Sequence, residues 1–181
     1  MTDFSAAAGT WKIDDTHTTL GFSARHAMVA KVRGRFTDFE GSFTIDADSP
    51  ANSTANVTIK TASIDTRNAD RDTHLKSADF LDVEKNTELT FTSTSIKHTD
   101  GNDFVVGGDL TVGDVTRNVE VELTYVGTSQ DPWGGTRIGF EGSTEISRKD
   151  FGLTWNVALE TGGVLVGDKI KIEIDVEAVK Q

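Results

Sequence analysis

Cysteine is absent from the 181 residues, and with it go disulfides, thiol nucleophiles and thiolate metal sites. Bases are scarce beside acids, 18 Lys and Arg against 29 Asp and Glu, which leaves a net charge of -11. A surface of that sign repels nucleic-acid phosphates and the anionic face of a membrane, so no nucleic-acid partner is expected. No run approaches the roughly 20 apolar residues of a membrane helix, so no stable membrane insertion is expected either. The opening Met1-Thr-Asp-Phe-Ser-Ala carries an acid where a signal peptide carries a base, and its apolar stretch is short; the chain as written is expected to be cytoplasmic. No Gly-x-Ser-x-Gly elbow occurs. The pairs Gly107-Gly108, Gly134-Gly135 and Gly162-Gly163 open no helix after a parallel strand, so they read as turns or bulges rather than phosphate loops.

What is present is a period of two. Ile170, Ile172, Ile174, Val176 and Ala178 alternate with Lys169, Lys171, Glu173, Asp175 and Glu177, the pattern of a strand with one dry and one wet face. Val119, Val121, Leu123 and Tyr125 repeat it, as do Phe104, Val106, Leu110 and Val112, and then Ile138, Phe140, Thr144 and Ile146. Earlier, Leu20, Phe22, Ala24, His26 and Met28 share one face, Phe39, Phe43 and Ile45 another, followed by Val57 with Ile59 and Leu89 with Phe91. About eight strands result, separated by turn-forming residues. Two stretches break the alternation. Asn68 to Asp82 suits a short amphipathic helix around 70–80, capped by Asn68 or Asp70, and Ser147 to Leu153 is irregular.

With 36% hydrophobic content the chain supports one core. An eight-stranded sheet with one apolar face and few helices buries that face most simply by closing on itself, which also removes its edges. The fold class predicted is therefore all-β: a single antiparallel eight-stranded, lipocalin-like barrel with a short covering helix. Ala24, Gly41, Ser93, Gly108 and Gly142 fall among the large inward residues and favour an internal cavity.

Trp11-Lys-Ile-Asp-Asp-Thr-His17, Phe22, His26, Gly34-Arg-Phe36 with Phe39 and Gly41, Ser63-Ile-Asp-Thr66, Arg71-Asp-Thr-His-Leu-Lys-Ser-Ala-Asp-Phe80, Gly108-Asp-Leu-Thr-Val112, Val115-Thr-Arg117 and Arg148-Lys-Asp-Phe-Gly152 stand in an order that resembles the YceI-like polyisoprenoid-binding family. The resemblance runs from about Thr10 to Val179. It implies an extended lipocalin-like barrel with a long apolar channel for polyprenyl chains, fatty acids or their amides, and a homodimer. It also implies a division into a flexible N-terminus, 1–9, and one YceI-like barrel domain, 10–181. Two departures fall in turns: Asn86-Thr87-Glu88, where the family usually has an aromatic and a proline, and Gly113-Asp114, where it often has His-Gly.

Four histidines are present, His17, His26, His74 and His98. His17 and His26 differ by an odd number and so face opposite sides of an ideal strand, and no pair has zinc-ligand spacing, so no metal site is expected. Arg71 and Asp72 read as structural, pinning the covering segment by charge-assisted bonds, with an acid/base group including His74 as the alternative. The expected ligand-binding residues are Phe22, His26, Met28, Phe36, Phe43, Phe80, Leu81, Phe91, Leu110, Phe140, Phe151 and Trp155. Some of the aromatic residues among them must be plain core.

Burying a methylene is worth about 0.8 kcal/mol, and association costs an estimated ~4 to 15 kcal/mol, so a channel with few polar anchors selects chains of about twenty carbons or more. The leading expectation is a cofactor-free, non-enzymatic carrier or store of a long amphiphile such as a polyisoprenoid or isoprenoid quinone. A fatty acid or fatty amide carrier, an enzyme acting on an isoprenoid and a ligand-free stress or assembly protein stay open.

Overall fold

A computed structural model describes residues 3–181. Its strands are β1 (Gly9–Ile13), β2 (Thr19–His26), β3 (Ala30–Phe36), β4 (Phe39–Ile45), β5 (Thr54–Lys60), β6 (Ile64–Asp65), β7 (Glu88–Asp100), β8 (Asp103–Val112), β9 (Val115–Gln130), β10 (Thr136–Ser147) and β11 (Val166–Lys180), with one α-helix, α1 (Ala69–Lys76). All pair antiparallel, and the pairing of β1 with β11 closes the sheet into a barrel.

Eleven strands make eight staves because three staves are each broken once. β11 pairs with β2 through Asp175 and with β1 from Ala178 onward, so β1 and β2 lie end to end along one neighbour. β3 and β4 follow the same rule, pairing with β2 and β1 respectively, and β6 and β5 pair with those in turn. The three interruptions lie on adjacent staves and form one bend line across the wall. Side chains replace the missing ladder bonds there. Thr18 Oγ1 both donates to Glu177 O and accepts from Glu177 N, each at 3.1 Å, and Ser63 Oγ accepts from Thr37 N at 3.1 Å. A break filled in this way bends a strand without leaving orphan backbone groups.

The long staves keep the alternation expected of them. Ile170, Ile172, Ile174 and Val176 face inward while Lys169, Lys171, Glu173 and Asp175 are exposed or pair at the surface. Between β7 and β8 the register slips at Ser93/Ser95, opposite Gly107 and Gly108, a bulge whose extra residue is Thr94 on β7.

The connections sort to two ends. At one lie the β2–β3 turn, α1, the β8–β9 turn, the 3-10 turn Arg148–Phe151 and the loop 153–165. At the other lie the β4–β5 connection, the β7–β8 and β9–β10 turns and residues 3–8. The expected covering helix starts where its cap requires: Asn68 Oδ1 accepts from Arg71 N at 2.9 Å. The segment expected to be a flexible N-terminus is packed over its described part. Ser5–Ala7 make a 3-10 turn, and Ala7 is 2% exposed in a cluster with Trp11, Tyr125, Ile138 and Ala178.

Candidate functional site

A cavity of about 730 Å³ runs the length of the barrel. Its wall holds side chains from both ends, from His26, His74 and Trp155 at the end carrying α1 to Phe4, Ala7 and Ile45 at the other. The wall is overwhelmingly aliphatic and aromatic, and its polar members gather near the two ends. Phe22, Phe36, Ile172 and Ile174 point into the barrel yet are only half-buried, because they border open space; the Phe22 and Phe36 rings also meet, with centroids 5.8 Å apart. The interior is not plugged by its own rings.

Ten of the twelve residues expected to form the site line this cavity: Phe22, His26, Phe36, Phe43, Phe80, Leu81, Phe91, Leu110, Phe140 and Trp155. Two do not. Met28 is 60% exposed in the β2–β3 turn, where it and Ala27 take left-handed φ of 65° and 50°. The strand parity that placed Met28 beside His26 ends at His26, and the turn rotates the side chain out. Phe151 is buried behind the wall with Ile64, Leu81, Leu89 and Val112; the tight 3-10 turn directs it to the core while Trp155 reaches the channel.

One gate of the channel is aromatic. The His74 ring stands edge-on to Trp155 with centroids 4.5 Å apart and to Phe80 at 5.1 Å, and Phe80 meets Trp155 at 5.4 Å. His74 Nε2 lies 2.9 Å from Asp79 Oδ2, which fixes the ring plane. Arg71 and Asp72 tie the helix to Thr66 beneath this group. Thr66 Oγ1 donates to Asp72 Oδ1 at 2.5 Å and accepts from Arg71 Nε at 2.8 Å, while Arg71 Nη2 donates to Thr66 O at 2.8 Å. Their bonds are spent on Thr66, just after β6, and the partner of His74 is Asp79.

Arg148 stands out in the sequence only within the Arg148-Lys-Asp-Phe-Gly152 pattern, and its role is clear from its partners. It is 3% exposed, and its guanidinium donates to Gly167 O at 3.0 Å, Leu153 O at 2.7 Å, Trp155 O at 2.9 Å and Val166 O at 3.2 Å. Burial holds its pKa below the ordinary arginine value, opposed by the charge of Asp168. It knots the loop that carries Trp155 to the start of β11. Asn156 adds to this, its side chain bonding both Val166 N at 3.0 Å and Val166 O at 2.8 Å where β11 leaves its ladder with β2. Only its flanking Arg-Lys-Asp-Phe-Gly pattern signalled Arg148; isolated in sequence, it reads as surface charge.

The two departures from the family pattern are neighbours in space. A Cβ on Gly113 would stand 3.2 Å from Asn86 Nδ2, and Gly113 has φ of 61° in the β8–β9 turn. Lys85 Nζ lies 3.4 Å from Asp114 Oδ2 beside them.

His17 belongs to a different cluster. Asp14, His17 and Glu177 bring ligand-type atoms within 4.8 Å of one another. The charge they share is already answered by Arg137, whose Nη1 lies 2.8 Å from Asp14 Oδ2 and 2.5 Å from Glu177 Oε1. A guanidinium in that place opposes a second cation.

Comparison with known proteins matches this architecture. The model for the YceI-like domain covers residues 11–178. Protein YceI of Escherichia coli O17:K52:H18 is 43% identical over 179 residues, spanning 98% of this chain and 90% of the relative. Among solved structures, BcnA of Burkholderia cenocepacia superposes with a TM-score of 0.78 at 22% identity, over 91% of this chain and 98% of the other. A polyisoprenoid binding domain from Saccharophagus degradans gives 0.68 at 16% identity, over 94% and 98%. At those identities the two structures speak for the barrel alone, while the domain match and the Escherichia coli relative reach nearly from end to end. The chain belongs to the YceI-like family.

Proposed function

We propose that this protein binds and carries a long-chain amphiphilic lipid of polyisoprenoid or isoprenoid-quinone type, tail along the barrel and head group at the end framed by His26, His74 and Trp155. The observation that carries this reading is the apolar cavity of about 730 Å³ running lengthwise. At about 30 Å³ per non-hydrogen atom, the share of volume a liquid gives a water molecule, it accommodates on the order of 24 such atoms. Burying that many carbons is worth about 19 kcal/mol, which exceeds the ~4 to 15 kcal/mol cost of association. A ligand half as long would gain about 10 kcal/mol, which falls inside the range of that cost. The fold likeness to a domain named for polyisoprenoid binding supports the same class.

Three of the polar groups at the Trp155 end, Arg71, His74 and Arg148, are engaged by protein partners. Binding, rather than turnover, is what such a wall performs. Native mass spectrometry of the purified protein, followed by organic extraction, should find one long-chain lipid per chain, and delipidated protein should take up a C20 or longer polyprenol or fatty acid. The extract separates a polyisoprenoid from a fatty acid or amide. His26→Ala should retain most of the binding, whereas an enzyme using His26 would lose turnover. Failure of delipidated, folded protein to take up any chain would refute the carrier reading.

A further inference from the structure

At the end of the channel remote from Trp155, residues 4–7 stand beside the β4–β5 connection. Phe4 and Ala7 stand in the cavity wall there, although neither belongs to a stave of the barrel. Phe4 is held by three rings: it meets Phe104 edge-on at 5.1 Å, His98 at 5.3 Å and Tyr125 at 5.6 Å. Ala7 is fixed from below, its carbonyl accepting from the fully buried Trp11 Nε1 at 2.8 Å. The turn between them is set by Ser5 N donating to Asp3 Oδ1 at 2.8 Å. His98 Nε2 is engaged in turn with Gly101 O at 2.9 Å, so the rings that seat Phe4 are themselves fixed.

A channel through a closed barrel needs a separate element to end it, and these residues supply one. We propose that residues 4–8 are a stopper that sets the longest tail the channel takes, with Phe4 as the residue the tail tip meets. Rigid aromatic contacts suit this task, because a gauge must hold its place against a ligand gaining contacts with each added carbon. The proposal rests on the carrier reading, and its test separates the two.

Delipidated protein is titrated with straight-chain saturated fatty acids in steps of two carbons, C12 to C30. Within the channel each added methylene is worth up to about a fourfold gain in affinity, and the gain should cease once the tip reaches Phe4. Phe4→Ala, and separately a chain lacking residues 2–6 that keeps the Ala7 carbonyl for Trp11, should move this plateau to longer chains. The expected shift is at least two carbons for Phe4→Ala and more for the truncation, with both variants melting cooperatively. An unshifted plateau in folded variants overturns the stopper while leaving the carrier reading intact. No binding at any length by the unaltered protein overturns the carrier reading itself. If either variant does not fold, a fatty acid of plateau length bearing a diazirine on its last carbon decides the matter in the unaltered chain. Cross-links at Phe4, His98 or Tyr125 support the stopper, and cross-links confined to the His26 and Trp155 end refute it.

Discussion

Phe22 and Gly34 face each other as register partners on β2 and β3, and the phenylalanine ring lies across the glycine: a Cβ on Gly34 would stand 2.4 Å from Phe22 Cζ and 2.9 Å from Cε1. Phe91 is laid over Gly108 in the same way, with a Cβ there 2.3 Å from its Cζ. A ring that lies down over a glycine thickens the wall by little, and a ring forced to stand projects into the lumen. The small inward residues therefore keep the channel open indirectly, by giving their large neighbours somewhere to lie.

Gly34→Ala should raise the Phe22 ring into the channel. The atoms in its way are side-chain atoms, including Thr66 Cγ2 at 2.8 Å, so folding should survive at a cost of about 1 to 3 kcal/mol, as for overpacked cores. Lipid uptake should fall, and adding Phe22→Ala should restore it. Uptake by the single variant equal to that of the unaltered protein would show that the ring does not guard the lumen.

Arg148→Lys should be strongly destabilising although it keeps the charge. One ammonium cannot reach four carbonyls spread over Leu153, Trp155, Val166 and Gly167. Unsatisfied buried groups cost about 1 to 3 kcal/mol each, so a loss of about 3 kcal/mol or more is expected in urea unfolding. Amide exchange should quicken in residues 153–165 before it does in β9.

Thr66→Val retains the shape and removes the hydroxyl that joins Arg71 to Asp72. Bonds to charged groups contribute about 1.5 to 3 kcal/mol, and a loss in that range should appear with α1 exchanging faster. Because α1 carries His74 in the aromatic gate, lipid release from a preloaded sample should also speed up.

The cluster at Asp14 should make stability depend on pH in two windows. Hydrogen bonds from Thr16 and His17, with Arg137, hold the Asp14 carboxyl well below its ordinary range. Its contribution is therefore present above the unfolded carboxylate pKa and lost as pH falls through the lowered value. The hydrogen bond and charge of Asp14 raise the pKa of His17, with Glu177 adding to it. That contribution is complete below the unfolded histidine value near 6.5 and lost as pH rises through the folded one. The melting temperature of the unaltered protein minus that of His17→Ala should thus be larger at pH 6 than at pH 8. Equal differences at the two values would contradict the assignment.

Most of the wall was legible because alternation is local. Residues such as Ile172, Val121 and Phe140 announce their inward face through their immediate neighbours, and of the ten expected residues that line the cavity all but Phe36 and Trp155 follow from that parity or from the covering segment. Met28 failed where parity was carried across a strand end into a turn, and Phe151 where an irregular stretch has no period to follow. The stopper was missed for a related reason. Phe4 is one aromatic residue in a polar and alanine-rich opening, with no repeat to assign it, and the rings that seat it come from positions about 100 residues away.

The order of apolar and polar residues thus determined by itself that the chain forms strands, which faces turn inward, and that a covering helix begins at Asn68 or Asp70, since each of these depends on residues within a few positions of one another. Only the tertiary structure decided where three staves break and bend, which glycines lie beneath which rings, how far the cavity extends and what ends it. Those depend on register and closure, in which residues distant in the chain become neighbours through hydrogen bonds that every sequence of this period can make in more than one way.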